Sequence, residues 1–434
     1  MQKQENTRSF GNTLIAGAGP AAIQTAVQLS RGFSKKIGFY NRTGTHADRF
    51  KEELKQNQYH ISLTVQGSDT VYSTKIHHFF DSSDGLQDEW DTLILSTPCF
   101  SYSDVMQSLR IVNLKRLKTI ILISPNIGSN DLVRNYTNKG IVDVISMSTY
   151  YAATKHSSSD SVTKAHTKTF KKRIYIASSK KDSYMLTVLK RFLNSLGVEG
   201  MMVDDPAEAE CRNITTYVHP ALFMNAFTLN EVFDLHTSGK KYMYKLYPEG
   251  PITQETIRTM VAVWKEVSRL VEHLGANPIN LLQFLNDDNY PVPEECLSRE
   301  DIEKYGDFEV TKQEYLLYVR YSSILIDPFS KPDEHGRYFE FSAVPFKPAS
   351  REEDGRWKVP RIPFEDYQKL KVILGISQKL GVHMPKTEFL INCFEKECQK
   401  IENKLAMGES LLQKWEISSI CDVNEIMKAR GNVS

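Results

Sequence analysis

The sequence predicts a mixed α/β chain in which a domain built on a parallel β-sheet precedes a mostly α-helical domain. In the first half, continuous apolar runs such as Thr92–Ser96 and Thr119–Ile123 alternate with helical stretches, which is typical of parallel strands covered on both faces. In the second half, apolar residues from Thr253 to Leu274 recur at helical spacing. We therefore predict two domains, at residues 1–206 and 207–434.

The first domain begins with a glycine turn in the run TLIAGAGPAAIQ, where Gly17, Gly19 and Ala22 have the spacing G-x-G-x-x-G/A. Gly17 permits a tight turn, Gly19 lets the backbone approach a pyrophosphate, and Ala22 lets the helix lie close to the strand. Pro20 is also expected to contact the cofactor, since it lies at the opening of the helix, whose N-terminus attracts phosphate. Glycine turns without a ligand share this spacing, but together with the strand series it predicts a Rossmann-like dinucleotide-binding domain.

The end of the second predicted strand, Lys36–Tyr40, indicates which dinucleotide is bound. A fold that selects NAD usually has an acid there for the ribose 2′-hydroxyl, whereas this chain has Arg42, followed by Arg49. A guanidinium suits a 2′-phosphate, so the sequence favours NADPH, with NADH weaker. The alternative is that Arg42 is only a solvated loop charge.

Further predicted strands at Tyr59–Val65, Val142–Ser146 and Ile174–Ala177 continue the alternation. Thr97 and Pro98 directly follow one buried strand. Because open α/β sheets bind ligands at the carboxyl ends of their strands, we expect both residues to contact the cofactor.

The second domain contains further predicted helices at Lys312–Ile326, Phe364–Leu380 and Lys386–Leu405. Between the first two, Tyr338–Phe346 and Arg356–Val359 are expected to form a small β-hairpin, an insertion near residues 338–359. The tail beyond residue 408 carries little signal. A cleft between the two domains is the expected place for the substrate.

Composition excludes several classes of partner. The chain has 54 Lys and Arg against 53 Asp and Glu, so no overall field favours nucleic acid or an anionic membrane. No segment is long and apolar enough to span a bilayer. Six scattered cysteines lack metal-binding spacing, so we expect no metal and a reducing, cytoplasmic compartment. Small-molecule substrates and a homodimer are the expected partners.

Two residues are candidates for acid–base chemistry. His219 lies in TTYVHPALFMNAF, where Pro220 ends a strand-like run, and Asp327 in ILIDPFS could orient such a histidine. A buried structural histidine and a helix-terminal turn residue are equally common roles for these two. Tyr244 and Trp264 belong to a stretch rich in rings and charge, where packing is the more common role but substrate contact is also expected.

Several long blocks closely resemble the opine metallophore dehydrogenases, the family of the staphylopine, pseudopaline and yersinopine synthases. The resemblance runs from the glycine turn to about Tyr367, and its most specific blocks are TYVHPALFMNAF, YKLYPEGPIT, LLQFLNDDNYPV, EYLLYVRYSSILIDPFSKPDE and FEFSAVPFK.

The resemblance implies an NADPH-dependent reductive condensation of a nicotianamine-like amine, built on histidine and an aminobutyrate unit, with an α-keto acid. His219 then matches the catalytic histidine and Arg42 the NADPH-selecting arginine, while Asp327 is assigned more loosely from the wider opine dehydrogenases. Ala153 stands where the keto acid is selected, and alanine there admits α-ketoglutarate as well as pyruvate.

Other features of the reaction stay open at this stage. The keto-acid carboxylate needs a cation or N–H donors, and Lys155 and Arg212 are both candidates. Another NADP-dependent 2-keto acid reductase and a non-enzymatic NADP(H)-binding regulator remain as alternatives.

Overall fold

A computed structural model of the chain describes residues 9–137, 140–233, 241–325, 344–351, 357–405 and 411–431. The chain divides into two compact units. The first comprises residues 1–212 and 424–434, and the second residues 213–423. The boundary thus lies a few residues beyond the one predicted at 206/207, and the last residues of the chain belong to the first unit.

The first unit contains two β-sheets. Its strands are β1 (Asn12–Ala16), β2 (Lys36–Tyr40), β3 (His60–Val65), β4 (Val71–Lys75), β5 (His78–Phe80), β6 (Thr92–Leu95), β7 (Thr119–Leu122), β8 (Asp143–Met147), β9 (Ala152–His156), β10 (Lys164–Phe170), β11 (Arg173–Ser178) and β12 (Glu199–Met202). Its helices are α1 (Pro20–Leu29), α2 (Thr45–Gln56), α3 (Tyr102–Ser108), α4 (Ser129–Asn135), α5 (Tyr184–Ser195) and α6 (Pro206–Cys211).

The larger sheet has eight strands in the order β12-β11-β8-β7-β6-β1-β2-β5. Its neighbours pair in parallel except β8 and β11, so β11 and β12 run opposite to the other six strands. The strands β1, β2, β6 and β7 are almost entirely buried, as their continuous apolar runs predict. The predicted α/β fold class is confirmed.

The smaller sheet, in the order β4-β3-β10-β9, corrects one expectation. The strand predicted at Tyr59–Val65 does form, as β3, but it pairs with β4 and β10 rather than joining the main sheet. Its alternating sequence, HISLTV, is that of a half-buried strand, whereas the strands of the large sheet are continuously apolar. The sequence does not predict β4, β9 and β10, because these segments are mostly polar and lack a continuous apolar run.

Helix α1 of the glycine turn packs against the smaller sheet and also contributes to the core shared with the large sheet. All residues from Ala22 to Leu29 are therefore buried, including polar ones. Tyr150 and Tyr151 donate hydrogen bonds to the Gln24 side-chain oxygen at 3.0 and 2.7 Å. These bonds satisfy a buried amide oxygen and attach the segment before β9 to the glycine-turn helix.

The second unit is mostly α-helical. Its helices are α7 (Ile214–Phe223), α8 (Ala226–Phe233), α9 (Gln254–His273), α10 (Leu281–Asp287), α11 (Arg299–Glu303), α12 (Val310–Leu325), α13 (Arg361–Lys379) and α14 (Pro385–Leu405), followed by α15 (Leu411–Ala429), which continues into the first unit. Thr253 caps α9 by accepting from the Thr256 amide, as its sequence predicts. In the part of the chain that the structure describes, none of the helices combines the length and low charge needed to cross a bilayer.

Two expectations about the second unit need correction. The tail beyond residue 408 carries little signal in the sequence, yet the whole of α15 lies in it. The described strands of the hairpin are β13 (Ser350–Arg351) and β14 (Trp357–Lys358), so β14 lies within the predicted Arg356–Val359 strand but pairs with a later partner than Tyr338–Phe346. Residues 338–343 and the predicted turn lie outside the described residues.

Glu266 on α9 is buried and serves as the cap of a second helix, α14. Its carboxylate accepts from the Lys386 amide at 2.7 Å and from the Thr387 amide and hydroxyl at 2.9 and 2.7 Å. These amides belong to the first turn of α14, where no intrahelical acceptor is available. One side chain thus satisfies the open end of α14 and joins it to α9.

Replacing Glu266 with Ala should lower the free energy of unfolding of the second unit by about 2–3 kcal/mol, because charge-assisted bonds are lost and buried amides are left unpaired. Urea unfolding together with hydrogen exchange at the Lys386 and Thr387 amides measures this loss. Glu272→Ala, an exposed position on the same helix, is the matched control and should change stability by less than about 0.5 kcal/mol. Equal losses in the two variants would contradict the capping role.

Candidate functional site

The glycine turn between β1 and α1 has the geometry that a dinucleotide requires. Gly17 has a φ of +108°, and a Cβ there would lie 3.2 Å from the Ser96 backbone, so backbone strain and a tight contact both disfavour a side chain. A Cβ on Gly19 would meet nothing within 4 Å, which leaves open space in front of the N-terminus of α1. Pro20 is the first residue of α1, and Ala22 is fully buried. The turn therefore offers a helix N-terminus with room for a phosphate group.

A cavity of about 260 Å³ adjoins this turn and brings together residues from three predicted segments. Gly17 contributes from the turn, Arg42 from the end of β2, and Thr97 and Pro98 from the end of β6. The side-chain oxygens of Ser96 and Thr97 are buried and lack a hydrogen-bond partner among the described residues. Orphaned donors and acceptors beside an open glycine turn fit a polar ligand such as a nucleotide.

Arg42 is largely exposed, and its guanidinium lies 3.7 Å from the Asp104 carboxylate, a weak ion pair between two solvated side chains. It can therefore turn toward an incoming phosphate at little cost. Arg49 lies on α2 and donates to the Ser159 carbonyl at 3.0 Å. It is not among the residues that line the cavity.

In the second unit, His219 lies on helix α7 and not in a strand. The strand-like run TTYVHPALFMNAF is helical because Asn213 caps it, accepting from the Thr215 amide at 3.1 Å. Pro220 lies inside this helix, which continues to Phe223. The Phe223 ring meets the imidazole edge to face, with centroids 4.9 Å apart.

The partner of His219 is Asp366 on α13. The imidazole Nδ1 lies 3.1 Å from the Asp366 Oδ1, and the two side chains are 15% and 2% exposed. The other carboxylate oxygen of Asp366 is buried with no hydrogen-bond partner among the described residues. Sequence reasoning missed Asp366 and named Asp327, which lies outside the described residues.

The His219–Asp366 pair lies in the wall of a cavity of about 420 Å³ in the second unit. Thr215, Met243, Phe346 and Pro360 contribute to the same wall. The remaining charged side chains of the lining are those of Lys347, Arg361, Glu365 and Lys369. The volume suits a small metabolite, and four of the charged lining residues, Arg361, Glu365, Asp366 and Lys369, belong to α13.

Glu365 forms ion pairs with two of these cations. Its carboxylate pairs with Lys369 at 3.1 Å and with the Arg361 guanidinium. Burial alone would raise the pKa of Glu365, but the charges of Lys369 and Arg361 outweigh it and lower that pKa to about 2. The lining therefore contains a fixed acid between two cations beside a histidine–aspartate pair.

Two predicted substrate residues of the second unit lie away from this cavity. Trp264 is buried, donates from its indole N–H to the Ile279 carbonyl at 2.9 Å and packs on Tyr305, so its observed contacts are those of a core residue. Tyr244 meets Phe223 edge to face at 5.5 Å, and burial raises its pKa. Phe223 thus contacts both Tyr244 and His219.

The other predicted substrate residues belong to the first unit. Ala153 and Lys155 are both on the exposed face of β9. Arg212 pairs with Glu208 at 3.2 Å, and its guanidinium carbon lies 4.4 Å from the centroid of the Tyr175 ring. The structure therefore groups Ala153 with Lys155 on one strand of the first unit. Within the described ranges, no three His, Cys, Asp or Glu side chains are grouped as a metal site needs.

Comparison with known proteins identifies the family. The staphylopine dehydrogenase family matches residues 11–429. The pseudopaline synthase of Pseudomonas aeruginosa is 41% identical over 390 residues, covering 89% of this chain and 90% of the relative. The staphylopine synthase of Staphylococcus aureus is 35% identical over 392 residues, with coverage of 89% and 90%.

A solved structure of yersinopine dehydrogenase with NADP+ bound has a TM-score of 0.86 and 32% identity, covering 96% of this chain and 99% of that one. Both the sequence match and the structural match thus extend over nearly the whole chain. The chain belongs to the staphylopine dehydrogenase family and is an opine dehydrogenase.

Proposed function

We propose that this enzyme makes a nicotianamine-like metallophore by NADPH-dependent reductive condensation of an amine, built on histidine and an aminobutyrate unit, with an α-keto acid. The observation that carries the proposal is the His219–Asp366 pair in the wall of a metabolite-sized cavity, in a chain of the staphylopine dehydrogenase family. The product is expected to bind divalent metals, as the resemblance to metallophore synthases implies. The site residues below are part of the same proposal.

His219 is proposed as the acid–base catalyst of the condensation. Before reduction, the amine and the keto carbon must join and lose water, which requires a proton for the departing hydroxyl and an acceptor for a proton of the amine. An imidazole can do both near neutral pH. With Asp366 holding the proton on Nδ1, the Nε2 atom is left to exchange protons with the substrate. Asp366 is therefore a positioning residue, the role predicted for Asp327.

The cofactor is proposed to bind at the glycine turn and its adjoining cavity. Gly19 leaves room for the pyrophosphate at the start of α1, Gly17 permits the turn, and Thr97 and Pro98 line the adjoining cavity. Arg42 is proposed to bind the 2′-phosphate, with Arg49 contributing positive charge from α2. When bound, NADPH supplies the hydride that reduces the carbon–nitrogen double bond.

Ala153 is proposed to select the keto acid, with Lys155 beside it. Successive residues on one face of a strand lie two positions apart, so both side chains lie on the exposed face of β9. α-Ketoglutarate carries a second carboxylate that pyruvate lacks. A small uncharged side chain followed by a lysine suits such a group, whereas an acid at position 153 would repel it.

The proposal includes a cytoplasmic homodimer. All six cysteines are free, which supports a reducing compartment. The resemblance to the opine metallophore dehydrogenases supports the homodimer, and the native mass in solution tests it.

Replacing Arg42 with Asp should weaken NADPH binding by about 30- to 150-fold more than NADH binding, because a charge-assisted partner of the 2′-phosphate becomes a repelling charge. Equilibrium titration of both cofactors gives the two dissociation constants. Lys115→Asp, an exposed charge change that does not line the cavity, is the control. An unchanged NADPH/NADH preference in the Arg42 variant would show that Arg42 is only a surface charge.

His219→Gln should lower turnover by about 10²- to 10⁴-fold with NADPH affinity unchanged, because the acid–base group is lost and the glycine turn is intact. Asp366→Asn should lower turnover less, since the imidazole remains but its tautomer is no longer fixed. Steady-state NADPH oxidation with amine and keto acid measures both effects. Parental turnover in a folded His219→Gln protein would rule out the catalytic role.

Ala153→Asp should shift the keto-acid preference toward pyruvate. The parent should accept α-ketoglutarate and tolerate pyruvate, and the new carboxylate should raise the KM for α-ketoglutarate by at least about tenfold through like-charge repulsion. Comparing kcat/KM for both keto acids in the parent and in Ala153→Asp, with Ala153→Asn as the uncharged control, tests this. A parent that refuses α-ketoglutarate, or an unchanged ratio in Ala153→Asp, would remove the selective role.

A further inference from the structure

Helices α7 and α13 are joined by two polar contacts that lie one helical turn apart. The first is the His219–Asp366 bond, and in the second the Lys369 ammonium donates to the Thr215 hydroxyl at 3.2 Å. Thr215 precedes His219 by four residues, and Lys369 follows Asp366 by three. Because residues three or four apart are neighbours on one helix face, with Cβ atoms about 5–6 Å apart, the ammonium lies about one turn from the imidazole.

Lys369 differs from the other cations of the larger cavity in being buried. Its side chain is 6% exposed, against 77% for that of Arg361, and Lys347 is also exposed. An ammonium is costly to bury without a partner, and Glu365 provides one at 3.1 Å. The ammonium is thus fixed by Thr215 and Glu365 in the wall that also contains His219.

The keto acid needs a cation or N–H donors for its carboxylate at about this distance from His219. Its α-carboxylate is bonded directly to the keto carbon, and the keto oxygen must lie within hydrogen-bond reach of His219 when water is lost. The carboxylate is therefore held close to the imidazole, and a cation one helical turn away can reach it.

We propose that Lys369, positioned by Thr215 and Glu365, binds the α-carboxylate of the keto acid and so fixes the keto carbon against His219. This assignment rests on the proposed function, since it takes a 2-keto acid as the substrate of this cavity. It is separate from the role proposed for Ala153, which concerns the choice between keto acids and not the α-carboxylate that they share.

The test compares Lys369→Gln with the parent, using pyruvate and α-ketoglutarate in turn at saturating amine and NADPH. Both keto acids have an α-carboxylate, so the KM for each should rise by about 10- to 100-fold, as expected for the loss of a charge-assisted pair. The KM for the amine and the dissociation constant for NADPH should change less than about threefold. Lys369→Arg should recover part of the keto-acid affinity, and Lys379→Gln, at an exposed position on the same helix, should match the parent.

A second measurement does not depend on turnover. Oxalate, a non-reactive dicarboxylate, should bind the parent in a calorimetric titration and bind Lys369→Gln at least about tenfold more weakly. In Lys369→Gln the buried carboxylate of Glu365 loses a partner, which could destabilise the fold. The double variant Glu365→Gln/Lys369→Gln removes that charge as well and should show the same loss of oxalate affinity. Thermal unfolding of each variant establishes that it is folded.

The outcomes separate this assignment from the function on which it rests. Unchanged keto-acid KM values and unchanged oxalate affinity would overturn the role of Lys369. A rise in KM for α-ketoglutarate alone would also overturn it, because Lys369 would then bind the second carboxylate of that substrate and not the α-carboxylate. A parent that oxidises no NADPH with amine and keto acid would overturn the proposed function. Loss of oxalate binding in the variants would still support the carboxylate site in that case.

Discussion

The hydrogen bond between His219 and Asp366 is the contact on which the candidate site depends. It joins residues 147 positions apart in the chain, and it fixes an imidazole in a cavity wall with a carboxylate that is 98% removed from solvent. A buried carboxylate without such a partner would be costly, so the pair also constrains how α7 and α13 pack. The Lys369–Thr215 contact, one turn away, adds a second fixed point between the same two helices.

Features that depend on neighbouring residues could be predicted from the sequence. Gly17, Arg42, Thr97 and Pro98 were each placed by local patterns, and the structure brings all four into one cavity, because strand ends in a parallel sheet meet at the same edge. Most strands of the large sheet are also close to their predicted bounds, since a continuous apolar run of four to eight residues is typical of a buried strand and too short for most helices.

Features that depend on distant residues could not be predicted in the same way. Asp366 cannot be identified as the partner of His219 until α7 and α13 are packed, because no local pattern links residues 147 positions apart. The alternating sequence of β3 indicated a half-buried strand, but no local pattern identifies which sheet a strand joins. For the run around His219, β-branched residues suggested a strand, and the Asn213 cap decided for a helix.

The division of the chain has a consequence for the order in which the enzyme is completed on the ribosome. Residues 213–423 are an insertion within the first unit, which regains residues 424–434 only after that insertion has been synthesised. In the finished protein, Arg430 pairs with Asp131 at 2.6 Å, and Glu425 accepts a hydrogen bond from Asn135, so the returning segment is attached to α4 at the carboxyl edge of the large sheet. Domains generally fold as units as they emerge, beginning with the N-terminal one. Here the first unit begins first and is completed last. A nascent chain that ends at residue 423 has the whole second unit but lacks the contacts that Glu425 and Arg430 make with α4.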